Sequence, residues 1–413
     1  MAIASNDLTT SAGPLNISRL ARPMLVLGVV LIAVMGFLLF TSNNPEVYGS
    51  YLFGWVFWLS ITLGMFGMTT LHNTVRGTWS VSLVRLWEAG GGAVNLILMA
   101  ALFSPILLNL TAIYPWANHD VAVKDHAMLH RIGYMNPGFF MVRFVLYFAV
   151  WAWFAWFMRN SVLRQERTKD MKLEMGRSSW GAAGMVMFFL TVTFALTDWT
   201  MSLDVHWSST MYGTWFIICS CGAAIALALV IFNSNADKEP YRSVVSPTLG
   251  KDQGNMQFTL TMLWGYTSIS QFLILWNGNI PETTSYYKER SSEMFPQGMS
   301  GNHWGILGLV LIVGRFFTPF FSLLSPRMKR FPQNLKLVGG WIFVMQIVEI
   351  YLFVQPSLPG RAQMGPLASH LGYDALSFCA VGALWLSVFA FQTAKAPLLP
   401  TYDARLEAMK NAH

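Results

Sequence analysis

The chain is a succession of apolar runs separated by short polar links. Each run is about 17–25 residues, long enough as a helix to cross a hydrocarbon core of roughly 30 Å. Inside lipid a spanning segment must satisfy its own backbone hydrogen bonds, which leaves helices and closed barrels. Continuous apolar runs, rather than alternation with period two, select helices. The sequence therefore predicts an all-α polytopic membrane protein. Ten spans are expected, at 23–41, 51–72, 89–110, 137–158, 180–198, 209–232, 258–276, 303–324, 335–354 and 373–391. Residues 1–22 and 393–413 read as tails around one membrane domain at 23–392, with no link long enough for a soluble domain. A content of 54% apolar and 11% charged residues lies outside the usual range of soluble domains. The first run lacks a cleavage-site pattern and reads as a span rather than a signal peptide.

Orientation follows from the positive charges. Of the 27 Lys and Arg, 20 fall in links on one side: Arg19 to Arg22, Arg76 and Arg85, Arg159 to Arg177, Lys238 to Lys251, Arg327 to Lys336, and Lys395 to Lys410. Five fall on the other side: Lys124, Arg131, Lys288, Arg290 and Arg361. Both termini are therefore expected in the cytoplasm. The net charge of +7 then faces anionic lipid on the inner leaflet and calls for no nucleic-acid partner.

The remaining two arginines, Arg143 and Arg315, fall inside spans four and eight. A shift of four spans preserves direction, so spans 2–5 and 6–9 fit a parallel repeat of two four-helix bundles, with spans 1 and 10 peripheral. Tyr48-Gly49-Ser50 and Tyr212-Gly213-Thr214, at the starts of spans two and six, are a local echo of it.

Ionisable groups in lipid are costly and face a bundle interior or a partner. The link Leu196–Trp215 joins two spans and carries Asp198, Asp204 and His206 without any lysine or arginine. Two polar clusters are expected. The outer one comprises Arg143, Asp198, Asp204, His206 and Glu349; the inner one comprises His72, Arg76, Arg85 and Glu88. Thr69, Asn95, Thr191, Thr193, Tyr266, Ser268, Gln271 and Arg315 are expected between them. Carboxylates and imidazoles exchange protons, while hydroxyls and amides hold water or relay bonds, so the set reads as a partial proton route. A structural reading stands beside it. Arg315 and Glu349 fit an inert ion pair, the inner residues fit interfacial snorkelling, and Thr191 and Thr193 fit bonds to their own helix. Trp79, Trp116, Trp199, Trp207 and Trp276, at span ends, read as interfacial anchors.

No redox cofactor is expected on this chain. Cys219, Cys221 and Cys379 read as small buried thiols and do not form a cluster-binding set. A bis-histidine haem needs facing histidines at one depth, yet His72 and His303 approach opposite surfaces. His119, His126, His130, His206 and His370 fall in outer links, with no spacing that compels a metal.

Four stretches carry a resemblance. They are Ser50-Tyr-Leu-Phe-Gly-Trp-Val-Phe-Trp-Leu-Ser with Leu71-His72; Asp198-Trp-Thr-Met-Ser-Leu-Asp-Val-His-Trp; Ser270-Gln-Phe-Leu-Ile-Leu-Trp-Asn-Gly-Asn-Ile-Pro-Glu; and Tyr114-Pro-Trp with Asn136-Pro-Gly-Phe-Phe. Over about residues 50–390 the chain resembles the NrfD-like (polysulfide-reductase) integral membrane subunits, and among them those of alternative complex III. Val205 departs from the pattern, standing where the family carries proline. The resemblance implies ten spans in two four-helix bundles. It also implies a complex with a sister NrfD-like quinol-binding subunit, an iron–sulfur subunit and c-type cytochromes in the bacterial cytoplasmic membrane. Quinone or menaquinone would react at or near that complex, and haem c and iron–sulfur clusters would sit in partners. This chain's implied share is assembly and proton translocation. Two other classes remain open: a purely structural scaffold and a stand-alone secondary transporter. Against the transporter stands the lack of a Gly/Pro-broken helix pair marking a midplane site.

Overall fold

The computed structural model describes residues 17–42, 44–75, 77–291, 304–359, 361, 370–401 and 403–411. Arg76 and His303 therefore lie outside the described residues. Among those described there is no strand, and ten helices are long and apolar enough to cross a membrane. The spans, one to ten, are Arg19–Ser42, Pro45–Thr74, Val84–Leu108, Pro137–Thr168, Lys172–Leu203, Tyr212–Ser234, Pro247–Gly278, Trp304–Leu324, Pro332–Ser357 and Leu371–Ala394. They follow the predicted order. Several run past the apolar stretch because polar residues continue the helix beyond the hydrocarbon.

Spans two, four and seven begin on Asn-Pro or Ser-Pro steps. Asn44, Asn136 and Ser246 accept hydrogen bonds from first-turn N–H groups of Glu46, Phe139 and Leu249. The following proline presets the helical φ where no N–H partner exists. Span seven stops at Asn279, which turns left-handed with φ 42°.

Span two is the axis of the molecule, buried along its length and packed against spans three, five, six, nine and ten. A Cβ on Gly64 would stand 2.1 Å from the Ser220 carbonyl oxygen of span six, so glycine is what lets these two backbones meet. Spans 2–5 close one four-helix ring and spans 6–9 a second, with spans two and six at the seam. Span ten lies outside both rings along span two, and span one lies along span ten.

Two spans are interrupted. Span three starts five residues earlier than predicted and breaks at Gly91–Gly92 and again at Phe103. Gly91 sits against span two, where a Cβ would meet the Phe66 nitrogen at 2.2 Å. Span eight contains a π-helical turn, Ile312–Phe317, around Arg315. The repeat partner of span three is span seven, a continuous helix, so the two interruptions are not a matched pair of the transporter kind.

Three predicted anchors are core residues instead. Trp116, Trp199 and Trp207 are buried, because the outer links fold back over the bundle ends. Trp199 packs 5.1 Å from Trp55 and 5.7 Å from Phe148, centroid to centroid. Trp207 stacks on Tyr286 at 4.2 Å. Trp276 is exposed, as an anchor should be. Cys219 and Cys221 are buried thiols, whereas Cys379 is exposed on the outward face of span ten.

Candidate functional site

The expected outer cluster is divided between the two bundles. In the first, Arg143 near the start of span four meets Asp198 at the end of span five. Arg143 Nε donates to Asp198 Oδ2 at 2.8 Å and Nη2 to Oδ1 at 3.0 Å. The Tyr147 hydroxyl donates to Oδ2 at 2.9 Å, and Arg143 Nη1 donates to the Tyr134 carbonyl at 2.8 Å. The Tyr134 ring lies 3.8 Å from the guanidinium carbon. Both carboxylate oxygens are therefore engaged in a bidentate, charge-assisted pair.

Glu349 is not part of that group. Its partner is Arg315, in spans nine and eight of the second bundle, the repeat equivalents of spans five and four. The pair is looser, with Arg315 Nε 3.9 Å from Glu349 Oε2. Arg315 leans on backbone carbonyls, donating to Cys219 at 3.1 Å and Ile342 at 3.3 Å. Glu349 Oε1 accepts from Trp264 Nε1 at 3.0 Å, while Oε2 is buried with no hydrogen-bond partner. The π-turn aims Arg315 inward, and π-turns recur at functional sites. Trp341 Nε1 satisfies the Gly314 carbonyl of that turn at 2.7 Å.

Asp204 and His206 remain at the outer surface, apart from both pairs. Asp204 lines an outer recess of about 410 Å³ with His130, Arg131 and Ser208. His206 pairs with Asp125 at 3.3 Å. Gln271 does not sit centrally with Arg315; it lies two turns from the outer end of span seven, where its Oε1 accepts from Ser209 at 3.0 Å. Tyr266 faces outward and is exposed. Thr191 and Thr193 donate to their own helix, at 2.6 Å and 2.7 Å, and Thr191 also accepts from Trp151 at 2.7 Å. His126 and His130 bring ring nitrogens to 3.2 Å, but no three metal-ligating side chains gather among the described residues.

Span seven carries the feature that single-residue reading passed over. Gln253, Gln257, Thr261, Trp264 and Gln271 are all buried, and with Ser268 they recur every three or four residues, which places them on one helix face. From Gln253 to Gln271 this face rises about 27 Å at 1.5 Å per residue, close to the thickness of the hydrocarbon core. At the inner end Gln253 donates to Ser82 at 2.8 Å. At mid-depth Gln257, Thr261 and Trp264 line a small cavity with Arg315, about 10 Å³, the space of about one water. Gln253 Oε1, Gln257 Oε1, Ser268 Oγ and Glu349 Oε2 are buried without hydrogen bonds. Buried polar groups are ordinarily paired with protein or ordered water, so this line suits bound water. The three-to-four spacing is visible in the sequence, but Gln253 and Gln257 precede the apolar part of the span and read as link residues.

The inner cluster forms around a partner the sequence did not suggest. Arg85 and Arg159 donate to Glu88 Oε2, at 2.8 Å and 2.5 Å, and Arg85 also pairs with Glu166. His72 turns to Ser80, 2.7 Å from Nδ1, and to the tail after span ten. Asp403 lies 4.0 Å from its Nε2 and Arg405 3.5 Å away. That tail is docked: Leu398, Leu399 and Leu406 are buried, and Arg405 donates to the Gly77 carbonyl at 3.1 Å. Burial works to raise the Asp403 carboxyl, but the hydrogen-bonded Arg405 guanidinium outweighs it and holds the group below its usual range.

No known family model matches this chain, and no curated protein matches it.

A further buried group sits at the outer mouth between spans two, nine and ten. Asp374 accepts from Gln355 at 2.8 Å and Tyr351 at 3.2 Å. Arg361 stands 3.6 Å from it and His370 3.7 Å. Burial, and then the Arg361 charge, lower the His370 imidazole below its usual value near 6.5, against the opposing pull of Asp374. The folded state thus holds a neutral imidazole where the unfolded chain would already be protonated. Its stabilising contribution is complete above about pH 6.5 and is lost as pH falls below that value. His370→Gln is expected to reduce the drop in thermal midpoint between pH 7.5 and pH 5.5. An unchanged drop would place the acid sensitivity elsewhere.

Proposed function

We propose that this chain is a membrane subunit of a quinol-oxidising complex and carries a proton route through its second bundle. The reading rests on one observation: the polar face of span seven runs the depth of the membrane and meets Glu349, a buried carboxyl with one oxygen free of hydrogen bonds. A proton carrier must exchange partners, and Glu349 has an oxygen available for exchange. Asp198 does not, since both of its oxygens are held. Gln257 and Ser268 lie on the same face of span seven and would hold water leading to Glu349. The first bundle then acts as the rigid half of the subunit.

The resemblance supplies the setting. The sequence stretches quoted above resemble the second NrfD-like subunit of alternative complex III, ActF. In that setting the sister NrfD-like subunit handles quinol, the iron–sulfur and c-type cytochrome subunits carry electrons, and this chain carries none. Its place is the bacterial cytoplasmic membrane, with both termini inside. A mild-detergent extraction tests the setting. The chain is expected to travel with polypeptides bearing haem c and iron–sulfur clusters, and to show no haem band once separated from them. A Val205→Cys reporter is expected to react with impermeant label only from the outer face. Migration as a lone polypeptide, or labelling from the cytoplasmic face, would contradict the proposal.

A further inference from the structure

The outer link between spans three and four carries two histidines that the proton route does not use. His126 and His130 stand one turn apart, at the helical turn His126–Leu129 and its C-cap. Their Nε2 atoms are 3.2 Å from each other, and both residues are exposed. His126-Ala-Met-Leu-His130 has the i, i+4 spacing that sets two imidazoles on one helix face around a zinc ion. Two nitrogens bonded to one zinc ion at about 2.0–2.1 Å stand about 2.9 Å apart at a right angle and about 3.4 Å apart at the tetrahedral angle. The observed separation lies between these values. Two imidazoles in open water gain little from one exposed hydrogen bond, and a proton on each would make them repel. A cation taken between them engages both ring nitrogens at once.

The turn is held in place by its own surroundings. Asp125 Oδ1 accepts from the Ala127 and Met128 N–H groups at 2.8 Å and 3.2 Å, and Met128 is buried. His206 reaches Asp125 Oδ2 at 3.3 Å, and Arg131 donates to the Val205 carbonyl at 2.9 Å. The link between spans five and six therefore braces the turn from the other side. A preformed pair of ligands loses less freedom on binding.

We infer that His126 and His130 form a binding site for a divalent cation of the zinc, nickel and copper class on the outer face of the first bundle. The two Nε2 atoms are its protein ligands, and water completes the shell. Hard cations such as Mg²⁺ and Ca²⁺ prefer oxygen ligands and are disfavoured. Ala127 stands where a zinc hydrolase of this spacing carries its glutamate base, so the site binds and no reaction is assigned to it. Neither Glu349 nor the polar face of span seven takes part, so the site and the proton route stand or fall separately.

The test titrates Ni²⁺ and Zn²⁺ into the full chain, without a histidine tag, in phosphatidylcholine nanodiscs at neutral pH. Calorimetry is expected to show saturable binding of one ion per chain, with none for Mg²⁺ at the same concentration. His126→Gln and His130→Gln are each expected to weaken binding more than about ten-fold, while His119→Gln, on the neighbouring turn, retains it. All three replace exposed side chains, so folding is not at stake. Cu²⁺ at the site is expected to show the electron-spin couplings of two imidazole nitrogens, and of one in either ligand variant. The inference is overturned by no saturable binding, by affinity unchanged in both ligand variants, by an equal loss in His119→Gln, or by displacement of Ni²⁺ by an equal concentration of Mg²⁺.

Discussion

Arg143→Met, with Asp198 left in place, is expected to destabilise the protein by about 3–5 kcal/mol, the usual cost of stranding one member of a buried ion pair. The carboxylate would lose both of its guanidinium bonds and keep only the one from Tyr147. Asp198 is 1% exposed, so water cannot take the place of the guanidinium. Arg143 would also leave the Tyr134 carbonyl without its donor. The double replacement Arg143→Met with Asp198→Leu removes both charges and is expected to recover much of the loss. Thermal midpoints of the two single variants and the double, in one detergent, give the coupling directly. If the single and double variants melt alike, the pair is not what holds spans four and five together. The pair's saturated geometry also predicts that Asp198→Asn leaves proton translocation unchanged wherever the complex still assembles.

The sequence made the frame of the fold legible through one property, the length of the apolar runs. Ten runs became ten spans, and the recurrence of an intramembrane arginine four spans apart marked equivalent helices, since Arg143 and Arg315 each find a carboxylate on the following span. Run length says nothing about which way a residue faces, and the misplacements come from there. Similar depth places Glu349 with Arg143 in the sequence, but they belong to different bundles. Residue type places Tyr266 and Gln271 together, yet one faces outward and the other bonds the outer link. Tryptophans at span ends look like anchors until a folded-back link buries them, as with Trp199 and Trp207. The docked tail, with Asp403 and Arg405 over His72, left no signal, because a short charged segment after a last span resembles any solvated end. The glutamines of span seven were visible as a spacing; their meaning needed the neighbouring Arg315 and Glu349 to be seen on the same face.

The central claim is that protons pass through Glu349. Glu349→Gln keeps the size of the side chain and an acceptor for Trp264 Nε1, which now lies 3.0 Å from Oε1, and removes the titratable proton. The neutral side chain leaves Arg315 with its two backbone carbonyls, so some loss of stability is expected, and assembly is to be checked by the cofactor content of the purified complex. The decisive measurement is the number of protons released per electron by the whole complex in sealed vesicles, with quinol as donor. The account predicts that Glu349→Gln lowers this ratio while quinol turnover with the membrane potential collapsed stays near the wild-type rate. A fully assembled Glu349→Gln complex that releases protons at the wild-type ratio would contradict it and leave the second bundle a scaffold.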